Sequence, residues 1–236
     1  MFYLIFNNKN SYTDFNLRIT KRPVIPAPVK NINKIEITGH DGDLYEDLGG
    51  YADIKITVDF NFIDKDNIKN SWRKIKSWLN NAQDNKLIFS DDIEFYYKVK
   101  NITLSELTIT KRILGTFTVT FTCEAYSYDI SGLNSIQLSN NSILYNYLDT
   151  SKPLIKAYGG GVSTITVNGQ SFVIDVGEYV YIDSALELTY KDKNTAGNLQ
   201  VGEYPVLING ENLISWDSNI TCLLYTSPSP RDSTSS

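Results

Sequence analysis

Between Ala52 and Phe62 apolar and polar residues alternate without a break. Ile54, Ile56, Val58, Phe60 and Phe62 fall on one face, and Asp53, Lys55, Thr57, Asp59 and Asn61 fall on the other. A period of two predicts a strand that buries one face and wets the other. The same signal, rich in β-branched and aromatic residues, recurs in FYLIF (2–6), KLIFS (86–90), IEFYYKVKNITL (93–104), LTITKRI (107–113) and GTFTVTFTCEAYSY (115–128). One stretch breaks the period. In DKDNIKNSWRKIKSWLNNAQ (64–83), Ile68, Trp72, Ile75 and Leu79 recur at i, i+4, i+7 and i+11 behind Asp64 or Asp66 as N-cap. That predicts a single amphipathic helix laid on the sheet.

The strong strand pattern stops at YDISGLN (128–134), and a second β unit follows. Its turn signals are Gly159 to Gly161, the hairpin-favouring pair Asn168-Gly169, and Gly202 to Pro205, each between alternating segments. Short strands with turns every 8 to 12 residues predict a sandwich. The expected fold is therefore mainly β, with two β-sandwich-like domains: residues 1–130, carrying the one helix, and residues 131–221. A chain of 236 residues that is 42% hydrophobic can bury two moderate cores.

From Cys222 the composition changes. The preceding chain is rich in Asn, Ile, Lys, Tyr and Phe, whereas CLLYTSPSPRDSTSS brings two prolines and five serines within 15 residues. The peptide 222–232 resembles one translated frame of a transposase-type sequencing adaptor. Residues 222–236 are accordingly expected to be a non-native tail on a truncated second domain, one that would leave a strand missing and an edge open.

Several function classes lack support. A net charge of -5 argues against a binder of nucleic-acid phosphates. The basic run Lys69 to Lys76 belongs to the helix and reads as a solvated face. The apolar run at 2–6 is too short for a signal peptide or a membrane span, and no later segment approaches one. With only Cys123 and Cys222, neither a disulfide framework nor a CxxC metal or redox site is expected. His40 is the sole histidine, and no nucleophile elbow accompanies it. Gly159 to Gly161 lacks the Lys-Ser/Thr end of a phosphate loop. No enzymatic activity, cofactor or metal is expected.

The segment GHDGDLYEDLGGYADIKITV (39–58) carries the most information. Asp41, Asp43, Glu46 and Asp47 lie among Gly39, Gly42, Gly49 and Gly50. Acids at that density can hold calcium, but an EF-hand loop counted from Asp41 would place Tyr45, Glu46 and Ala52 where an acid, a glycine and a glutamate are needed. The glycines suit turns with positive φ, and Leu44, Tyr45, Leu48 and Tyr51 offer contact groups. The segment is read as a turn-rich element for binding a partner.

This segment also carries a family resemblance. Gly39, Asp41, Gly42, Leu44, Gly49, Tyr51, Asp53 and Ile54 form a G-x-D-G-x-L-x-x-x-x-G-x-Y-x-D-I core. With the N-terminal strand, ITKRPVIPAPVKNINKIEITGHDGDLYEDLGGYADIKITVDF (19–60) and the helix, it resembles the N-terminal domain of distal tail proteins of siphophages infecting Gram-positive hosts. His40 stands where that pattern has a basic residue. Pro153, Tyr158, Gly159, VNGQSF (167–172), YIDS (181–184) and GEYPVLINGENLISW (202–216) are similar to the family's C-terminal domain.

The resemblance implies a structural virion protein of the tail tip, assembled in the host cytoplasm. It would form a homo-hexameric ring between the tail tube protein and a tail-associated baseplate or fibre protein, with a galectin-like second domain that sometimes carries receptor-binding components. The candidate assembly-interface residues are Gly39, Asp41, Gly42, Leu44, Gly49, Tyr51 and Asp53. The competing reading is a carbohydrate-binding module for host cell-wall glycans, based on 16 tyrosines and three tryptophans. Trp72 and Trp78 belong to the helix, which leaves Trp216 for the second domain.

Overall fold

A computed structural model describes residues 1–225, apart from 40, 111, 147–149, 193, 196–199 and 218. The chain divides into two compact units, one of Met1–Ser127 and one that starts at Tyr128.

In the first unit the elements are β1 (Leu4–Phe6), β2 (Lys9–Asn10), β3 (Arg18–Ile19), β4 (Lys30–Glu36), β5 (Asp43–Tyr51), β6 (Ile54–Ile63), α1 (Ile68–Asn80), β7 (Lys86–Phe89), β8 (Asp92–Leu104), β9 (Thr108–Thr110) and β10 (Leu114–Asp129), the last running just past the boundary. Eight strands form one sheet in the order β2-β1-β7-β8-β10-β6-β3, with β9 also paired to β10. The alternation in the sequence becomes register. Val58 lies opposite Val119 and Phe60 opposite Phe117, with the last two rings stacked at 5.4 Å. Ile54, Ile56, Val58, Phe60 and Phe62 of β6 are all buried, each contributing about 1.5–3 kcal/mol.

Helix α1 closes this core from one side through Ile75, Trp78 and Leu79. Its N-cap differs from the expectation. Asn67 caps it, accepting from the Asn70 amide at 3.0 Å, because the Asp64 carboxylate is committed to the Asp66 and Asn67 amides and to the Ser71 hydroxyl. Trp78, outside the expected stripe, donates its indole N–H to the Phe6 carbonyl at 2.9 Å and so ties the helix to β1. Asn7, in the β1–β2 turn, donates its amide to the carbonyls of Trp78 and Asn81 at the other helix end.

The second unit contains a short 3-10 turn (Ile130–Leu133), β11 (Ser135–Gln137), β12 (Ser142–Asn146), β13 (Leu154–Gly159), β14 (Val162–Val167), β15 (Gln170–Asp175), β16 (Tyr179–Asp183), β17 (Leu188–Lys191), β18 (Asn194–Thr195), β19 (Gly210–Trp216) and β20 (Ile220–Tyr225). A six-stranded sheet, β11-β20-β13-β16-β17-β18, and a four-stranded sheet, β12-β19-β14-β15, share one core. The core takes Ile155 and Ile182 from the first sheet and Ile165, Phe172 and Ile214 from the second, as two layers of a sandwich require. Asn168, at φ +50, and Gly169 turn the β14–β15 hairpin as their sequence predicts.

Strand β20 runs straight through the change in composition. Cys222 and Leu224 are buried, and β20 sits inside its sheet between β11 and β13. The first four residues assigned to the tail thus fill a strand position, and residues 226–236 lie outside the described residues.

Candidate functional site

Within the signature segment, read from the sequence as a turn-rich element, residues 43–51 form a strand. Residues Asp43–Tyr51 pair with Lys30–Glu36 in a two-stranded sheet of their own, joined to none of the three larger sheets. Partners in register are Ile32 and Asp47, Asn33 and Glu46, Lys34 and Tyr45, Ile35 and Leu44, and Glu36 and Asp43. Opposed residues share a face, so Ile35 and Leu44 form an apolar pair on one side. The other side carries ion pairs, Lys34 to Asp43 at 2.9 Å and Lys30 to Asp47 at 3.4 Å.

The glycines lie at the two ends of this ribbon. Gly39 and Gly42, at φ +84° and +94°, shape its tip, where Asp41 is exposed; His40 lies outside the described residues. Gly49 and Gly50, at φ +75° and +74°, form a bulge near its base, where Lys30 pairs with Tyr51 while Ile32 pairs with Asp47. Two consecutive residues at φ near +75° are adopted freely by glycine and at a cost by most L side chains. A Cβ at Gly49 would meet nothing within 4 Å, so backbone conformation and not space selects glycine there.

Beyond the bulge the chain is anchored. The Tyr51 ring meets Tyr126 edge to face at 5.7 Å, the Ala52 amide donates to Val29 at 2.8 Å, and Asp53 pairs with Lys100 of β8 at 2.7 Å. The candidate residues therefore fall into a tip group of Gly39, Asp41, Gly42 and Leu44 and a base group of Gly49, Tyr51 and Asp53.

Along the ribbon almost every side chain is exposed, including Leu44 at 55%, Tyr45 at 64% and Leu48 at 61%. Val24 and Val29 of the irregular proline-rich segment that leads into β4 are bare as well. A lone two-stranded ribbon is marginally stable in water, and exposed ion pairs add little. Clustered apolar groups and two open strand edges are features that a partner could cover.

The acids of the segment serve the ribbon. The Gly49 amide and the neighbouring Lys30 hold the Asp47 carboxyl below its ordinary range, and Lys34 bridges Asp43 and Glu36. Among the described residues no three His, Cys, Asp or Glu side chains gather as a metal site would need. Nor is any helix among them long and apolar enough to cross a membrane. The contribution of β4 escaped sequence reasoning because its isoleucines, at 32 and 35, break the period of two.

Aromatic groups of the second unit are largely engaged. The Lys156 ammonium lies 4.6, 4.8 and 4.7 Å from the ring centres of Tyr158, Tyr179 and Tyr181, and Tyr190 stacks on Tyr181. A sugar stacking on these faces would have to displace the lysine or split the stack. Trp216 packs on the core and donates to the Ile220 carbonyl at 2.9 Å.

Residues 2–123 match the family model of the phage tail protein RIFT-related domain. No curated protein matches the chain. Among solved structures it is similar to the Dit (gp 19.1) protein of SPP1, described as a paradigm of the hub adsorption apparatus in phages infecting Gram-positive hosts. The TM-score is 0.62 at 13% identity, covering 96% of this chain and 98% of that chain. At that identity the likeness is one of fold, and it spans both units.

Proposed function

The chain belongs to the phage tail protein RIFT-related domain family, and from that premise we propose that it is a structural protein of the siphophage distal tail. Six copies close into a ring at the tail tip, with the tail tube protein on one side and a baseplate or fibre protein of the host-adsorption apparatus on the other. The uncovered ribbon of β4 and β5 carries this reading. A closed ring is built from heterologous contacts, so each subunit needs two different complementary patches, and the ribbon supplies one of them. The two units are read as a ring-forming domain and a galectin-like peripheral domain. The SPP1 protein supports this assignment through its shared fold and its description as a hub.

Because Lys30 and Tyr51 are cross-strand partners, residues 31–50 can be replaced by a short glycine turn without stretching the base. Native mass spectrometry of the full chain is expected to give hexamers, and the ribbon-deleted chain is expected to stay monomeric with an unchanged thermal melt. A monomeric parent at high concentration, or a deleted chain that still forms hexamers, would sink the proposal.

A further inference from the structure

A heterologous ring contact needs a surface that receives the ribbon, and the first unit holds one. Strand β6 pairs along its length with β10, but on its other side β3 reaches only Phe60 and Asn61. The direction of the remaining backbone groups follows from Thr118. Its amide donates to the Ser105 hydroxyl and its carbonyl accepts from the Ser105 amide, so neither group turns toward Asp59, its partner across the ladder. Alternation along an antiparallel pair then sends the amides and carbonyls of Asp59, Thr57 and Lys55 away from β10. The Asp59 carbonyl accepts from the Thr20 amide at 2.9 Å, whereas the amides and carbonyls of Thr57 and Lys55 have no partner among the described residues.

Pro23 and Pro26 keep the segment that follows β3 from completing the ladder, since neither carries an amide hydrogen. A cleft of about 330 Å³ lies instead between Lys21, Arg22 and Pro26 on one side and Lys55, Thr57 and Asp59 on the other. Arg22 is committed to Asp91 at 3.1 Å, and Asp59 accepts from the Thr118 hydroxyl at 2.7 Å. Lys21 and Lys55 are exposed and form no ion pair among the described residues. An open strand edge thus adjoins two uncommitted cations.

We propose that this cleft receives strand β5 of a second copy, laid edge to edge against β6. Of the two ribbon strands, β4 carries Lys30 and Lys34, whereas β5 carries Asp43, Glu46 and Asp47 and no basic residue. Among the described residues Glu46 meets no cation, only the Asn33 side-chain amide at 3.4 Å, so its charge is free for Lys21 or Lys55. Strand β5 pairs with β4 alone, which leaves its outer edge as open as that of β6. Strand addition supplies main-chain hydrogen bonds, and the charges choose β5 over β4 and set its register. This pairing rests on the ribbon being a ring contact and gives it the face that it meets.

Native mass spectrometry and amide exchange on the full chain test the pairing. Lys21→Glu combined with Lys55→Glu is expected to weaken assembly at least about tenfold at an unchanged thermal melt, because like charges then face each other. Adding Glu46→Lys is expected to recover part of that loss. The double variant keeps a sound ribbon and the ribbon-deleted chain keeps a sound cleft, so a mixture of the two is expected to give a heterodimer that grows no further. The Lys55 and Thr57 amides are expected to exchange at least about tenfold more slowly in the hexamer than in the ribbon-deleted monomer. Hexamers of parental strength from the double variant, no recovery with Glu46→Lys, a mixture without heterodimers, or equal exchange would overturn this pairing while the ribbon's role in assembly stood. Hexamers from the ribbon-deleted chain would remove the ring contact itself, and this pairing with it.

Discussion

Gly202 opens the GEYP motif at φ +111, and a Cβ there would lie 2.3 Å from the backbone oxygen of Ser171. Neither strain nor clash can be relieved by moving a side chain. Gly202→Ala is therefore expected to destabilise the second unit by about 2–5 kcal/mol, read from its urea midpoint. The sequence marks this glycine only as a turn, since the atom it must avoid is 31 residues away. Asn212 is a similar case. Fully buried, it accepts from the Ile208 amide at 2.8 Å and the Asn168 side chain at 2.7 Å, and donates to the Ile208 and Gly210 carbonyls. An asparagine in NGENLISW looks like surface until the hairpin at Asn168 is brought against β19.

At the scale of elements, α1 and the ribbon respond to different perturbations. Hydrogen bonds from Ser71 and from the amides of Asn67 and Asp66 lower the Asp64 carboxyl from its ordinary 3.8. A group depressed in the folded state stabilises fully above its unfolded value and loses that contribution as pH falls through its folded value. The stability difference between the parent and Asp64→Asn should therefore be present at pH 7 and shrink below about pH 3.8, as urea midpoints at several pH values would reveal. In the ribbon, Gly49→Ala adds strain of about 1–2 kcal/mol at an uncovered bulge. Native mass spectra are expected to show weaker assembly, with the melt of the eight-stranded sheet unchanged. The helix was legible because its apolar stripe repeats over three turns. The ribbon was not, because its apolar residues face no core within the chain and so follow no burial period.

On the scale of the whole molecule, each unit carries its own reporter. Burial pushes the thiols of Cys123 and Cys222 up to about 12, leaving both protonated and shielded at neutral pH. Alkylation at pH 8 is expected to spare both in the native protein and to label each as its own unit opens in urea. Peptide mass spectrometry would follow Cys123 from β10 and Cys222 from β20 separately. Immediate labelling of Cys222 in the native protein would mean that β20 does not hold its position between β11 and β13.

The sequence by itself determined the strands and their faces, because burial on one side of a sheet imposes a period of two that survives in β6 and β10 residue by residue. It also determined the helix, the Asn168-Gly169 hairpin and the family signature. Only the tertiary structure decided that this signature belongs to the two ends of one ribbon, since the partner strand β4 obeys no periodicity and is recognised by pairing alone. Tertiary structure likewise placed Lys55 across a cleft from Lys21 and Arg22, and Cys222 within a sheet. Such contacts join residues far apart in the chain, and alternation along a segment says which face is buried but not what lies against it.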